Sequence, residues 1–100
     1  MTFDDLQFAD LTHGRNDAYI VARAYFPNGY GASVIKGPTT IGGRHGLYEV
    51  ALLKGTRDHN AAICYTAPDI NAINGDLTPD DVTALLGQIE ALAPVGEAGK

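Results

Sequence analysis

The chain has 100 residues, 45% of them apolar and 19% charged, with a formal net charge of −5 and a single cysteine. That length suits one domain burying somewhat more than ~60% of its unfolded surface, and the composition excludes the weakly hydrophobic, highly charged regime of disordered chains. No apolar run approaches the ~20 residues of a membrane helix, the acidic start Met1-Thr2-Phe3-Asp4-Asp5 lacks the basic region of a secretory signal, and lone Cys64 can form no internal disulfide. The expectation is a protein of a reducing cytoplasm with no membrane association.

In chain order, residues 1–17 read as an irregular arm with Phe3, Leu6, Phe8 and Leu11 spaced among acids. Over residues 18–26, Ile20, Ala22, Ala24 and Phe26 alternate with Tyr19, Val21, Arg23 and Tyr25, which predicts a strand. Pro27-Asn28-Gly29 then supplies a turn and residues 30–35 a second strand, the clearest hairpin in the chain. A glycine-rich loop over residues 37–46 precedes a nearly all-apolar third strand, residues 47–54, expected to be central. A polar turn leads into a fourth strand over residues 61–65. Asn74-Gly75-Asp76 reads as part of a loop anchored by Ile70 and Ile73.

The last element is a helix. Thr78 suits its N-cap, Pro79 its first position, and Asp80 and Asp81 the positive end of its dipole. Val82, Leu85, Leu86, Ile89 and Leu92 make one apolar stripe, Gly87 marks a close approach to a strand, and Pro94 ends the helix and opens a flexible tail. The expected fold is therefore α+β, one domain over residues 1–100, with a four-stranded antiparallel meander packed by one C-terminal helix.

Charge is segregated along this layout. Residues 15–57 hold Arg15, Arg23, Lys36, Arg44, Lys54 and Arg57 against only Asp17 and Glu49. From Asp58 to Gly99 there are seven acids and no Lys or Arg. The acidic total argues against duplex nucleic acid as a direct partner.

Candidate chemistry is sparse. His13, His45 and His59 have no partner at metal-ligand spacing, Cys64 sits in an apolar run, and Ser33 lacks a nucleophile-elbow context. No catalytic residue, metal or cofactor is assigned. The loop over residues 37–46 offers glycine N–H groups and the hydroxyls of Thr39 and Thr40. With Lys36, Arg44 and Arg57 these form a candidate anion site, although Gly43 and Arg44 stand where a Walker loop needs Lys and Ser/Thr. Five tyrosines are available, and any on the sheet face opposite the helix would make a docking surface.

The run Phe26-Pro27-Asn28-Gly29-Tyr30-Gly31-Ala32-Ser33-Val34-Ile35-Lys36-Gly37-Pro38, with Ile41-Gly42-Gly43 and Gly46-Leu47-Tyr48-Glu49-Val50-Ala51-Leu52-Leu53, resembles a family of small phage and prophage proteins. Tyr65-Thr66-Ala67-Pro68-Asp69-Ile70 and Leu77-Thr78-Pro79-Asp80-Asp81-Val82 extend the likeness across residues 18–92, whereas Asn71-Ala72-Ile73-Asn74 departs from that family's Thr-Asp-Asp-Val run. The resemblance implies a phage gene expressed in a bacterial host, and no established activity.

Three functions follow as expectations. The first is a non-enzymatic accessory protein that blocks a bacterial defence complex, such as a CRISPR effector, by stoichiometric binding. Asp69, Asp76, Asp80, Asp81 and Glu90 would compete for a nucleic-acid-binding surface, and Tyr25, Tyr30 and Tyr48 would supply contact area. The second is a sponge for a nucleotide-derived immune signal, held by the anion site in a pocket shared within a homo-oligomer. The third is a small hydrolase using His45 or His59 with a nearby carboxylate.

Overall fold

The computed structural model describes residues 1–10, 19–55, 61–67 and 69–95. Among them the order is a 3-10 turn at Phe3–Asp5, then β1 Ala9–Asp10, β2 Ile20–Tyr25, β3 Tyr30–Lys36, a second 3-10 turn at Gly43–His45, β4 Tyr48–Lys54, β5 Ala62–Ile63, β6 Ile73–Leu77 and the helix α1 Pro79–Glu90. The α+β class, the antiparallel sheet and the C-terminal helix agree with the sequence reading. The strand count does not, because among the described residues the sheet holds six strands rather than four.

The hairpin β2–β3 forms at the predicted turn. Gly29 takes a φ of 88°, the Phe26 N–H donates to the Tyr30 carbonyl at 2.8 Å, and Ala24 faces Ala32 while Arg23 faces Ser33. β4 is central, as its apolar run predicts. One edge pairs with β3, and the other is shared end to end by β5 and β6. Leu52 joins the two pieces: its carbonyl accepts from the Cys64 N–H at 2.8 Å, and its N–H donates to the Ala72 carbonyl at 2.9 Å. Strands β5 and β6 thus share one interrupted fifth strand position. Asn, Gly and Asp are poor strand formers, so Ile73-Asn74-Gly75-Asp76-Leu77 reads locally as a loop; pairing with β4 makes it a strand, with an irregularity between Tyr48 and Val50 and a φ of 58° at Asp76.

Helix α1 carries a full capping box. Thr78 Oγ1 accepts from the Asp81 N–H at 3.1 Å, and Asp81 Oδ2 accepts from the Thr78 N–H at 3.0 Å. Its buried face, Val82, Leu85, Leu86 and Ile89, lies on β3 and β4. The helix stops at Glu90, before Pro94, where the hairpin turn caps it. Asn28 Nδ2 donates to the carbonyls of Ile89, Glu90 and Leu92 at 2.8, 3.3 and 3.2 Å. The Val95 N–H donates in turn to the Asn28 carbonyl, so the tail expected from residue 94 begins with an anchored residue that packs on the core.

Gly87 does not approach a strand. It is solvent-exposed, and a Cβ there would meet nothing within 4 Å. Gly87→Ala is therefore expected to stabilise the protein by about 0.5–1 kcal/mol through helix propensity alone, read as a rise in the urea midpoint at unchanged m-value.

The predicted irregular arm has structure over its described part. β1 pairs with the start of β2, the Phe3 N–H donates to Thr83 Oγ1 at 2.9 Å, and the Met1 ammonium pairs with the Glu90 carboxylate. Phe3 and Phe8 lie 5.0 and 5.7 Å from the Tyr48 ring, closing one end of the core. The Thr2 N–H and hydroxyl both donate to Asp5 and hold its carboxyl below the usual range.

Register and burial settle the two sheet faces. Ala22, Ala24, Ala32, Val34, Val50 and Leu52 point under α1. Val21, Arg23, Tyr25, Gly31, Ser33, Ile35, Glu49, Ala51 and Leu53 share the opposite face, which α1 leaves uncovered.

Candidate functional site

The uncovered face is built around small residues. A Cβ on Gly31 would come within 3.2 Å of the Tyr25 ring, and one on Gly37 would overlap the Tyr19 ring, so each tyrosine packs against a glycine across the hairpin. Between β2 and the fifth strand position this leaves a cleft of about 480 Å³. Ser33 and Ala51 line its floor, Arg23 and Tyr25 one wall, and Leu53, Ala62 and Ile63 the other. Ile63, which lines it, is 39% exposed, and Ile73, paired with Ala51 on the same face, is 37% exposed. Among the described residues, neither the Arg23 guanidinium nor the Ser33 hydroxyl has a hydrogen-bond or ion-pair partner.

The residues predicted for protein binding divide accordingly. Tyr25 lies on this face. Tyr30 and Tyr48 do not, being 6% and 9% exposed within the core, which corrects their assignment as contact residues. Their strand parity carried the signal: Tyr30 shares a face with Ala32 and Val34, and Tyr48 with Val50 and Leu52. Tyr19 and Arg23 were not chosen from the sequence, although Arg23 within the set Tyr19, Val21, Arg23, Tyr25 marks that set as outward.

The acids do not form one patch. Asp76, Asp80 and Asp81 lie at the N-terminal end of α1, and Glu90 and Asp69 at its C-terminal end, about 18 Å away along a twelve-residue helix. Asp81 is committed to the capping box and Glu90 to the Met1 ammonium, so Asp80 is the acid of the helix whose role in folding is slightest.

The glycine-rich loop forms a second cleft, of about 370 Å³, lined by Thr39, Thr40, Arg44, His45 and Asp76. Its hydroxyls are already used. Thr40 Oγ1 accepts from the Gly37 N–H and donates to the Gly37 carbonyl, both at 2.9 Å, while Thr39 Oγ1 lies 2.5 Å from the Tyr19 hydroxyl. Arg44 Nε donates to the Pro38 carbonyl at 3.4 Å. Lys36 turns to the other face, its Nζ 4.9 Å from the Tyr48 ring centroid, and does not line this cleft. Arg57, His13 and His59 lie outside the described residues. The predicted anion set is therefore brought together only in part, with the carboxylate of Asp76 beside it. Cys64 is buried with its Sγ 3.8 Å from Thr66 Oγ1, and among the described residues no three His, Cys, Asp or Glu side chains cluster to hold a metal.

No protein-family model matches the chain, and no curated protein or solved structure is significantly similar to it.

Proposed function

We propose that this protein acts by stoichiometric binding of a protein partner, and that the uncovered sheet face is its docking surface. The observation that carries the reading is the composition of that cleft: a tyrosine, an arginine and an exposed isoleucine around a floor of small residues, tyrosine and arginine being types that dominate interface energetics. Joined to the resemblance to small phage and prophage proteins, it supports reading the chain as a phage-type accessory protein that inhibits a bacterial host complex, such as a defence effector, in the host cytoplasm. The acids on α1 then face away from the contact and serve solubility and electrostatic steering rather than the interface itself.

The sponge reading is weaker, because the loop hydroxyls already hold the loop and Asp76 opposes a phosphate. Hydrolysis by His45 with a carboxylate is favoured only by its sharing a cleft with Asp76.

The test is capture of partners by tagged protein from bacterial lysate, followed by mass spectrometry. Ala51→Arg places a long cation on the cleft floor and is expected to weaken capture about thirtyfold or more, since a central interface residue carries ~2 kcal/mol or more. Asp80→Lys is expected to leave capture intact. The reverse pattern would move the interface to the helix.

A further inference from the structure

The docking face has an internal order that limits what fits it. Cross-strand register places Arg23, Ser33 and Ala51 in one row across the sheet, and Tyr25, Gly31, Leu53 and Ile63 in the next. Neighbours within a row are about 5 Å apart, and the rows are about 7 Å apart along the strands. The first row presents the guanidinium and hydroxyl that lack partners among the described residues, two donors side by side in the cleft. The second row is apolar and aromatic. Arg23 is the only charged side chain among the described residues lining the cleft.

Resting on the docking reading above, we propose that the occupant is an extended segment of a partner protein carrying a carboxylate side chain and, two positions along, a large apolar side chain on the same face. Alternate side chains of a strand lie about 7 Å apart, which is the spacing of the two rows. A partner strand aligned with this sheet and stacked about 10 Å above it sets the carboxylate on Arg23 and Ser33. The apolar side chain then lies against the Tyr25 ring, Leu53 and Ile63. The guanidinium and hydroxyl supply charge-assisted hydrogen bonds to the carboxylate, which are stronger than neutral ones. The small side chains of Ser33 and Ala51 leave room above the first row for the partner's carboxylate.

The test uses the full chain, labelled with ¹⁵N, and an acetylated heptapeptide of threonine and lysine bearing one glutamate and, two positions on, one leucine. Amide shifts are expected at Ser33, Ala51 and Leu53. Glutamine in place of the peptide's glutamate, or Arg23→Gln in the protein, is expected to weaken binding about tenfold or more. The two changes together should cost no more than either alone, because both break one contact. Equal binding by the glutamine peptide, or shifts confined to other surfaces, would overturn the inference. So would shifts of the same amides with protein concentration in the absence of peptide, which would give the face to a second copy of the chain. Capture from lysate separates this from the docking reading: loss with Ala51→Arg but not with Arg23→Gln removes the carboxylate and keeps the face, while no loss with either removes both.

Discussion

Replacing Tyr48 with alanine is expected to destabilise the protein by about 3–5 kcal/mol without revealing a binding role. The ring is 9% exposed, meets Phe3 edge-on at a centroid distance of 5.0 Å and Phe8 at 5.7 Å, and supports the ammonium of Lys36. Each aromatic pair adds roughly 0.5–1.5 kcal/mol beyond area burial, so truncation leaves a cavity and also frees the N-terminal segment that the ring holds. Against a total of about 5–15 kcal/mol for a domain of this kind, that loss is large. Urea denaturation by circular dichroism measures it. Tyr25→Ala, on the uncovered face, is expected to cost much less stability and to weaken partner capture. A Tyr48→Ala variant as stable as the parent but unable to capture a partner would reverse both assignments.

The second large effect is at Asn28. Its side-chain amide donates to three carbonyls at the end of α1 while its Oδ1 accepts from the Tyr30 N–H at 3.0 Å, so one side chain joins the hairpin turn to the helix C-terminus. Asn28→Ala is expected to cost about 1–3 kcal/mol, because several carbonyls lose their donor together. Asn28→Asp is expected to cost more at neutral pH, since it also sets a negative charge against the negative end of the helix dipole. The sign of the pH dependence follows. Carbonyl neighbours disfavour the ionised carboxyl, so its folded pKa lies above the unfolded value. The variant is therefore relatively more stable at low pH, and loses that stability as pH rises through the folded pKa. Thermal melts at acidic and neutral pH should show the Asp variant approaching the Ala variant only in acid; a gap independent of pH would mean that the introduced carboxyl does not face the helix end.

Both effects mark residues that hold the fold. Tyr30 and Tyr48 look like interface residues by type and are core residues by position. Asp81 and Glu90 look like members of an acidic patch, and each is bound within the fold. The uncovered face draws on residues the composition does not highlight, Tyr19, Arg23, Ser33 and Ala51, gathered from three strands.

The local elements were determined by the sequence itself, for local reasons. Helix α1 follows from an N-cap threonine, a proline at the first position and an apolar period of 3.6. The β2–β3 hairpin follows from alternation on either side of Pro27-Asn28-Gly29, whose turn needs the positive φ that Gly29 supplies. The centrality of β4 follows from a run too apolar to face water on either side. Tertiary structure decided what depends on distant partners. Strand β6 exists because the edge of β4 offers hydrogen bonds that outweigh the weak strand propensity of Asn-Gly-Asp, and β1 because β2 offers the same at the other side. The end of α1 was set by an amide from a turn about 60 residues away rather than by Pro94. Which sheet face is uncovered was a tertiary choice too. Alternation divides each strand into two sets of side chains, but only the seat of α1, chosen by where its apolar stripe buries most area, makes one set core and leaves the other outside it.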